Sequence, residues 1–194
     1  DDILAAFPNT HSLISIVRRM NRTNIRSPHR SVANVEFHHT GDDIEQSARM
    51  IARKLESIGI EAAYPAMGFP MEMDRYPGKI WSVSHKPVAE AAGLGVIGLH
   101  RNVIHPKFGN FILLGTVVVD REISSYGAFL DESPCMECKL CVAACPVGAI
   151  GPDGHFDFGA GMTHNYREFM GGVWTLMEDV AESRNFKQLR KRQS

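Results

Sequence analysis

The run Cys135-Met-Glu-Cys138-Lys-Leu-Cys141-Val-Ala-Ala-Cys145-Pro146 constrains this chain more than any other stretch. All four cysteines of the 194 residues fall within it, at the C-x2-C-x2-C-x3-C-P spacing by which thiolates wrap an iron–sulfur cubane. Close spacing lets one tight loop direct several sulfurs at one cluster, and Pro146, with fixed φ and no N–H, turns the chain away afterwards. Leu140, Val142, Ala143, Ala144, Val147 and Ile150 are placed to supply an apolar shell, which controls solvent access and hence potential. Structural zinc is the blander reading, but it usually takes two close ligand pairs a dozen or more residues apart. Two disulfides inside one short loop fit less well still, with nothing else suggesting a secreted scaffold.

The run also contains a deficit. In two-cluster proteins the fourth cysteine of such a run ligates the other cluster. Cys135, Cys138 and Cys141 then hold one cubane, Cys145 serves a second, and no cysteine remains to complete either set. Four completions stand open: further sequence, a partner chain, a histidine or other non-cysteine ligand, or a local arrangement that uses all four. The chain begins at Asp1-Asp2 and ends on Arg190-Lys191-Arg192-Gln193-Ser194 directly after a helical pattern, so the expectation is a piece of a longer protein.

Hydrophobic content of 44% and charged content of 22% are those of an ordinary globular chain able to bury a core. A formal net charge of −1 excludes a whole-molecule electrostatic nucleic-acid binder. No apolar run approaches the roughly 20 residues of a membrane span. Free thiols beside a cluster run fit a reducing compartment, and the cytoplasm is expected.

Patterning places the elements. Leu13–Val17 reads as a short buried strand and Val35–His38 as an alternating one. Residues 18–30 carry arginines at 18, 19, 22, 26 and 30, with His29 and no acid. They read first as a solvated basic loop, with a phosphate or acidic partner as the functional alternative; no aromatics interleave to stack bases. Ile44, Ala48, Ile51, Leu55 and Ile58 form one apolar stripe, predicting a helix over 42–58 closed by Gly59. Residues 64–78 form a turn-rich loop loaded with Met67, Phe69, Met71, Met73 and Tyr76, read as packing on the core, with a lid over a flat cofactor as the alternative. A short helix over 87–92 ends at Gly93. Phe111–Val119 is apolar almost throughout and predicts a central strand covered on both faces, with Gly115 marking a close approach. A helix over 166–182 with a weak point at Gly171-Gly172, and a fraying basic tail, complete the chain.

The segment from Lys86 to Asp120, followed by the cysteine run, resembles the epoxyqueuosine reductase and reductive dehalogenase family. The motifs are Pro-Val-x-Glu at Pro87–Glu90, Ala-Gly-Leu-Gly-x-Ile-Gly at Ala92–Gly98, Ile-x-Pro-x-x-Gly at Ile104–Gly109, and Leu114-Gly115. The resemblance implies an α/β (α+β) fold in which a nitroreductase-like, cobalamin-binding-type domain (1–125) precedes a ferredoxin-like 4Fe-4S module (126–194). It implies an oxidoreductase whose clusters, one or two, pass electrons to a corrinoid for reduction of a small molecule or modified nucleoside. In that family a later cysteine run completes both clusters, and that run is not among these residues. The alternative is an electron-transfer module with no corrinoid and no substrate chemistry of its own.

Two departures limit the transfer. Family members that reduce epoxyqueuosine carry an acidic proton donor three positions before the motif proline, where this chain has Ser84, followed by His85. Ser84 and His85 are therefore the candidate catalytic residues, and of the two only the histidine can move a proton near neutral pH. The helical repeats that bind tRNA in that subfamily are not present either, so nucleic acid is not an expected partner of this stretch. Expected partners are a low-potential electron donor, a small-molecule substrate, and whatever segment or chain completes the clusters.

Gly93, Gly95 and Gly98 offer backbone that a large planar ligand can approach. With His105, Phe108 and Gly109 they form the candidate cofactor-binding set; His100 is a further histidine able to face a corrin. The glycine spacing is not a dinucleotide fingerprint, and Leu99-His100 after Gly98 excludes a P-loop.

Overall fold

The computed structural model describes residues 2–68, 81–135, 138–169 and 173–192. Two compact units divide the chain, Asp1–Cys138 and Lys139–Ser194. The division falls inside the cysteine run, beyond the expected 125/126, because residues 121–135 fold back on the first unit. There Tyr126 Oη lies 2.9 Å from Ser12 Oγ, and the Cα hydrogens of Gly93 and Gly127 face the backbone of Ala128 and Ala92.

In the first unit, α1 (Asp2–Ala6) leads into β1 (Ser12–Arg19), then α2 (Arg22–Ile25), α3 (Arg30–Glu56) and β2 (Ala62–Ala63). After residues 69–80, on which the possible lid falls and which lie outside the described residues, come α4 (His85–Ala91), β3 (Val96–Ile97), β4 (Val103–Ile104) and β5 (Ile112–Val119). The sheet has the order β1-β5-β2, with β5 central and antiparallel to both neighbours. Its register with β1 runs from Ser12 opposite Val119 to Arg19 opposite Ile112.

Strand β5 is covered on both faces, as its unbroken apolar run predicts. Val117 and Val119 pack with Ala48 and Ala52 of α3, flanked by Ile14, Ile16, Ile51 and Leu55. On the opposite face Ile112 and Leu114 pack with Ala89 of α4, Val103, Ile97 and Phe108. The close approach expected at Gly115 is made by the protein itself: a Cβ there would stand 3.0 Å from Ile44 Cγ1.

The strand expected at Val35–His38 is helical, because α3 begins at Arg30 rather than near Asp42. Four alternating residues cannot separate strand from helix, whereas the i, i+4 series Thr40, Ile44, Ala48, Ala52 is buried throughout and extends the helical stripe N-terminally. Glu36 secures that early part by accepting from Asn21 N at 2.7 Å and Thr40 Oγ1 at 3.0 Å. At the far end Gly59, at φ +78°, lets Ile60 N bond back to Leu55 O at 3.1 Å and closes the helix.

Within the second unit, α5 (Leu140–Ala144) is followed by α6 (Phe158–Phe169), α7 (Val173–Glu182) and α8 (Phe186–Arg192). The helix expected over 166–182 falls on α6 and α7, and its expected weak point, Gly171-Gly172, lies outside the described residues. The tail expected to fray is helical, with Asn185 Oδ1 accepting from Gln188 N at 3.0 Å at its start. Among the described residues no helix is long and apolar enough to cross a membrane.

Candidate iron–sulfur site and its surroundings

All four cysteines are free thiols. Cys135 is half-buried against the β3–β4 hairpin, where Leu99 N lies 3.4 Å from its Sγ and Ser133 Oγ accepts from its own N–H at 3.2 Å. The hairpin loop reaches the sulfur because residue 98 is glycine: a Cβ there would sit 3.5 Å from Cys135 Sγ and 2.8 Å from Ile104 Cδ1. Cys138 is exposed.

In the second unit, Lys139 adopts the left-handed conformation, φ 53°, and turns the chain into α5, which carries Cys141. Cys145 ends that helix in extended conformation, as a residue before proline must. The chain after Pro146 then curls so that its amides face the sulfur. Ala149 N donates to Cys145 Sγ at 3.2 Å, and Gly148, at φ +61°, makes the curl possible. These N–H groups, Val147 first and then Ala149, Ile150 and Gly148, hold the Cys145 thiol below its ordinary pKa against the opposing effect of burial. A concave set of amides around a sulfur stabilises the thiolate, the form that ligates metal. Ala149 is buried beside Phe156 and Gly161, which anchors this turn to α6.

Among the described residues no three His, Cys, Asp or Glu side chains converge on one metal-sized point. Nor does the apolar shell close there. Leu140 is 72% exposed and Val147 42%; Ala143 and Ala144 are exposed and only Val142 and Ile150 half-buried. The donor set nevertheless fits a thiolate-ligated cluster: four unpaired sulfurs, two of them already taking backbone N–H bonds.

The expected catalytic pair lies at the start of α4. His85 opens α4 and is buried, with Nδ1 2.8 Å from Thr116 Oγ1 and Nε2 3.1 Å from Ala66 O. Since a carbonyl only accepts, Nε2 carries the proton and Nδ1 accepts from the threonine hydroxyl. Burial lowers its pKa, partly offset by Ala66 O and Glu45. With both nitrogens engaged inside the core, His85 is a neutral brace between the residue-66 loop and β5. Ser84, its exposed neighbour, precedes α4 without a side-chain capping bond.

The cofactor-binding candidates also divide. Gly95 and Gly98 are buried against the protein's own atoms, Ile104 O and Val103 Cγ1 lying 2.6 Å from where a Cβ on Gly95 would be. Gly93, at φ +74°, closes α4 and leaves Leu94 N to bond Ala89 O at 2.9 Å. These glycines therefore permit close packing of chain on chain, and among the described residues Gly93, Gly95 and Gly98 face the protein's own atoms. His105 Nδ1 accepts from Lys107 N at 3.0 Å and Phe108 N at 3.3 Å, and its ring stacks on Phe108 at 4.5 Å. Its pKa is lowered by burial and by Lys107. Gly109 pairs with His105 through both backbone bonds, at φ +66° with open space beside it. His100 Nδ1 accepts from Asn102 N at 3.1 Å within the hairpin loop. A groove of about 580 Å³ lined by Phe7, Pro8, Glu56, Ile60, Ala62 and Asp120 includes none of these candidates.

Sequence reasoning missed two contributors. Glu90, seen only as a motif letter, accepts from Ile97 N at 2.7 Å and fixes the hairpin that carries Leu99 to Cys135. Thr116, read only as part of a strand, is the fully buried partner of His85. Neither partnership has a local sequence signal, since the pairs are brought together by folding.

The spacing and the free thiols suit a 4Fe-4S site, and residues 128–151 match the family model described as a 4Fe-4S binding domain. More particularly, the chain is similar to epoxyqueuosine reductases. It is 33% identical over 107 residues to the epoxyqueuosine reductase of Pseudomonas aeruginosa, covering 54% of this chain and 28% of that one. Against the enzyme of Synechocystis it is 26% identical over 149 residues, 77% of this chain and 49% of the relative. The chain thus spans half or less of the length of these curated relatives. Its fold matches the solved epoxyqueuosine reductase of Streptococcus thermophilus with a TM-score of 0.54 at 18% identity, over 79% of this chain and 40% of that one. A structure of an epoxyqueuosine reductase with an epoxyqueuosine-modified tRNA stem loop matches with 0.58, again at 18% identity and the same coverage.

Proposed function

We propose that this chain is the part of a cytoplasmic oxidoreductase that holds a 4Fe-4S cluster and delivers electrons through it to a reducible centre. The carrying observation is the cysteine run, with backbone amides directed at Cys135 and Cys145. Cys135, Cys138 and Cys141 would hold one cluster and Cys145 contribute to a second. A bound cluster supplies one-electron chemistry, at a potential set by hydrogen bonds to sulfur and by solvent exposure. The chain's own residues position the sulfurs. The hairpin locked by Glu90 brings Leu99 N to Cys135, and the turn after Pro146 surrounds Cys145 with amides. Segments or partners outside these residues would complete the ligand sets and the apolar cover.

The similarity to epoxyqueuosine reductases extends the reading to a corrinoid acceptor and a small molecule or modified nucleoside as substrate. Gly93, Gly95 and Gly98 do not fit a corrin cradle, so the cysteine site alone supports the electron-transfer part. The second reading, an electron-transfer module without a corrinoid, is favoured by this packing of the glycines. Iron and cobalt per chain, measured after anoxic purification and reconstitution with cobalamin, separate the two. Iron with near-stoichiometric cobalt supports the reductase, iron alone supports the module, and zinc in place of both overturns the proposal.

A further inference from the structure

A basic face is assembled in the first unit from segments far apart in the sequence. Arg19 ends β1, Arg22 opens α2 and Arg26 follows it, and Lys107 lies in the loop between β4 and β5; all four are exposed. The Arg19 guanidinium lies 5.9 Å from the Phe108 ring centre and Lys107 Nζ 5.7 Å from the same centre. Arg22 and Arg26 lie 5.9 and 5.7 Å from the Phe111 ring, and Arg22 also reaches Phe108 O at 3.5 Å. Among the described residues no carboxylate pairs with any of these four. In a chain of net charge −1 this is a pronounced local asymmetry.

Three properties of the face select a partner. Cation–π contacts hold the long side chains in place, so less rotamer freedom is lost when an anion binds. Three of the four groups are guanidiniums, whose planar fork suits carboxylates and phosphates alike. The ring faces, however, are taken: Phe108 is stacked by His105 and approached by Arg19 and Lys107, and Phe111 by two arginines. A single-stranded nucleic acid needs open aromatic faces for its bases, and these are not offered. An acidic protein surface needs only the charges.

The face is also continuous, within the first unit, with the hairpin that holds Cys135. Phe108 packs in the cluster that contains Val103 and Ile97, the two sides of the hairpin whose loop bonds Cys135. The geometry points to a docking surface for an acidic, low-potential electron-carrier protein, which charges one end of the unit that holds the first cluster ligand. This rests on the proposed electron-transfer function and adds to it the donor's class and its point of approach. Small, charged, transient contacts are the usual form of electron-transfer encounters, and steering raises their rate more than their affinity.

The test uses the whole chain, reconstituted anoxically, and a reduced acidic bacterial ferredoxin as donor in stopped-flow. The combined variant Arg19→Gln, Arg22→Gln, Arg26→Gln, Lys107→Gln should slow cluster reduction at low salt by about tenfold, within the range of electrostatic steering. The wild-type rate should fall with added salt toward the variant's. Reduction by the methyl viologen radical cation, which a basic face can only repel, should be no slower in the variant, which also shows that the variant is folded. A triple Arg→Lys variant should keep most of the rate. Equal ferredoxin rates for wild type and the Gln variant at all salts would overturn the inference. So would a variant that loses affinity for a single-stranded RNA oligonucleotide while keeping its ferredoxin rate. If the chain takes up no iron, the electron-transfer reading fails by itself. Salt-dependent binding of the oxidised ferredoxin to the iron-free chain then still decides the docking face: binding weakened in the Gln variant upholds it, and equal binding overturns it.

Discussion

Gly95→Ala tests whether the glycines of the Ala92–Gly98 motif serve the fold or a ligand. An added methyl would stand 2.6 Å from both Ile104 O and Val103 Cγ1. The carbonyl is backbone of β4 and cannot rotate aside, so β3 and β4 must separate. Overpacking of this kind typically costs about 1–3 kcal/mol, and the rigid backbone neighbour argues for the upper half of that range. Gly98→Ala meets mainly the end of a side chain, Ile104 Cδ1 at 2.8 Å, and should cost less, about 1 kcal/mol. Gly109→Ala meets nothing within 4 Å and suffers only its positive φ, +66°, about 1 kcal/mol. Urea unfolding of the chain, followed by far-UV circular dichroism, should therefore rank the variants Gly95, then Gly98 and Gly109 together. A Gly95→Ala protein as stable as wild type that had lost a bound cofactor would refute the packing argument and restore the ligand-facing one.

Other outcomes follow from the same contacts. His85 is kept neutral, its pKa lowered from the ordinary 6.5 by burial. As pH falls through 6.5 the unfolded chain takes up a proton that the folded chain refuses, so stability is full above that pH and lost below it. Unfolding midpoints across that range should show this slope, and His85→Gln should flatten it. Thr116→Val leaves His85 Nδ1 buried without its donor and should cost about 1–3 kcal/mol in the same assay. Glu90→Ala, which frees Ile97 N, should lower the iron retained on exposure to air relative to wild type, with Glu90→Gln intermediate.

The central strand, the helical stripe over Ile44–Leu55 and the cysteine run were legible because each rests on periodicity or spacing within one segment. The start of α3 was not. Val35-Glu36-Phe37-His38 satisfies a strand pattern locally, and the decisive bond, from Asn21 N to Glu36, comes from elsewhere in the chain. The same reason hid the basic face: residues 18–30 hold no aromatics, and the rings that order their arginines arrive from positions 108 and 111. Glycine spacing and the histidine beside the motif proline were legible as features but not as roles. Whether a glycine faces a ligand or a carbonyl, and whether an imidazole faces solvent or a threonine, depends on what the fold sets opposite.

The most direct measurement is electron paramagnetic resonance of the anoxically reconstituted, reduced chain, compared with Cys135→Ser, Cys138→Ser and Cys141→Ser. Ligation of one cluster by these three cysteines predicts the signal of a reduced 4Fe-4S cluster in the parent and its loss or marked change in each variant. A reduced parent that is silent and contains zinc, or a signal that survives all three substitutions, would contradict it.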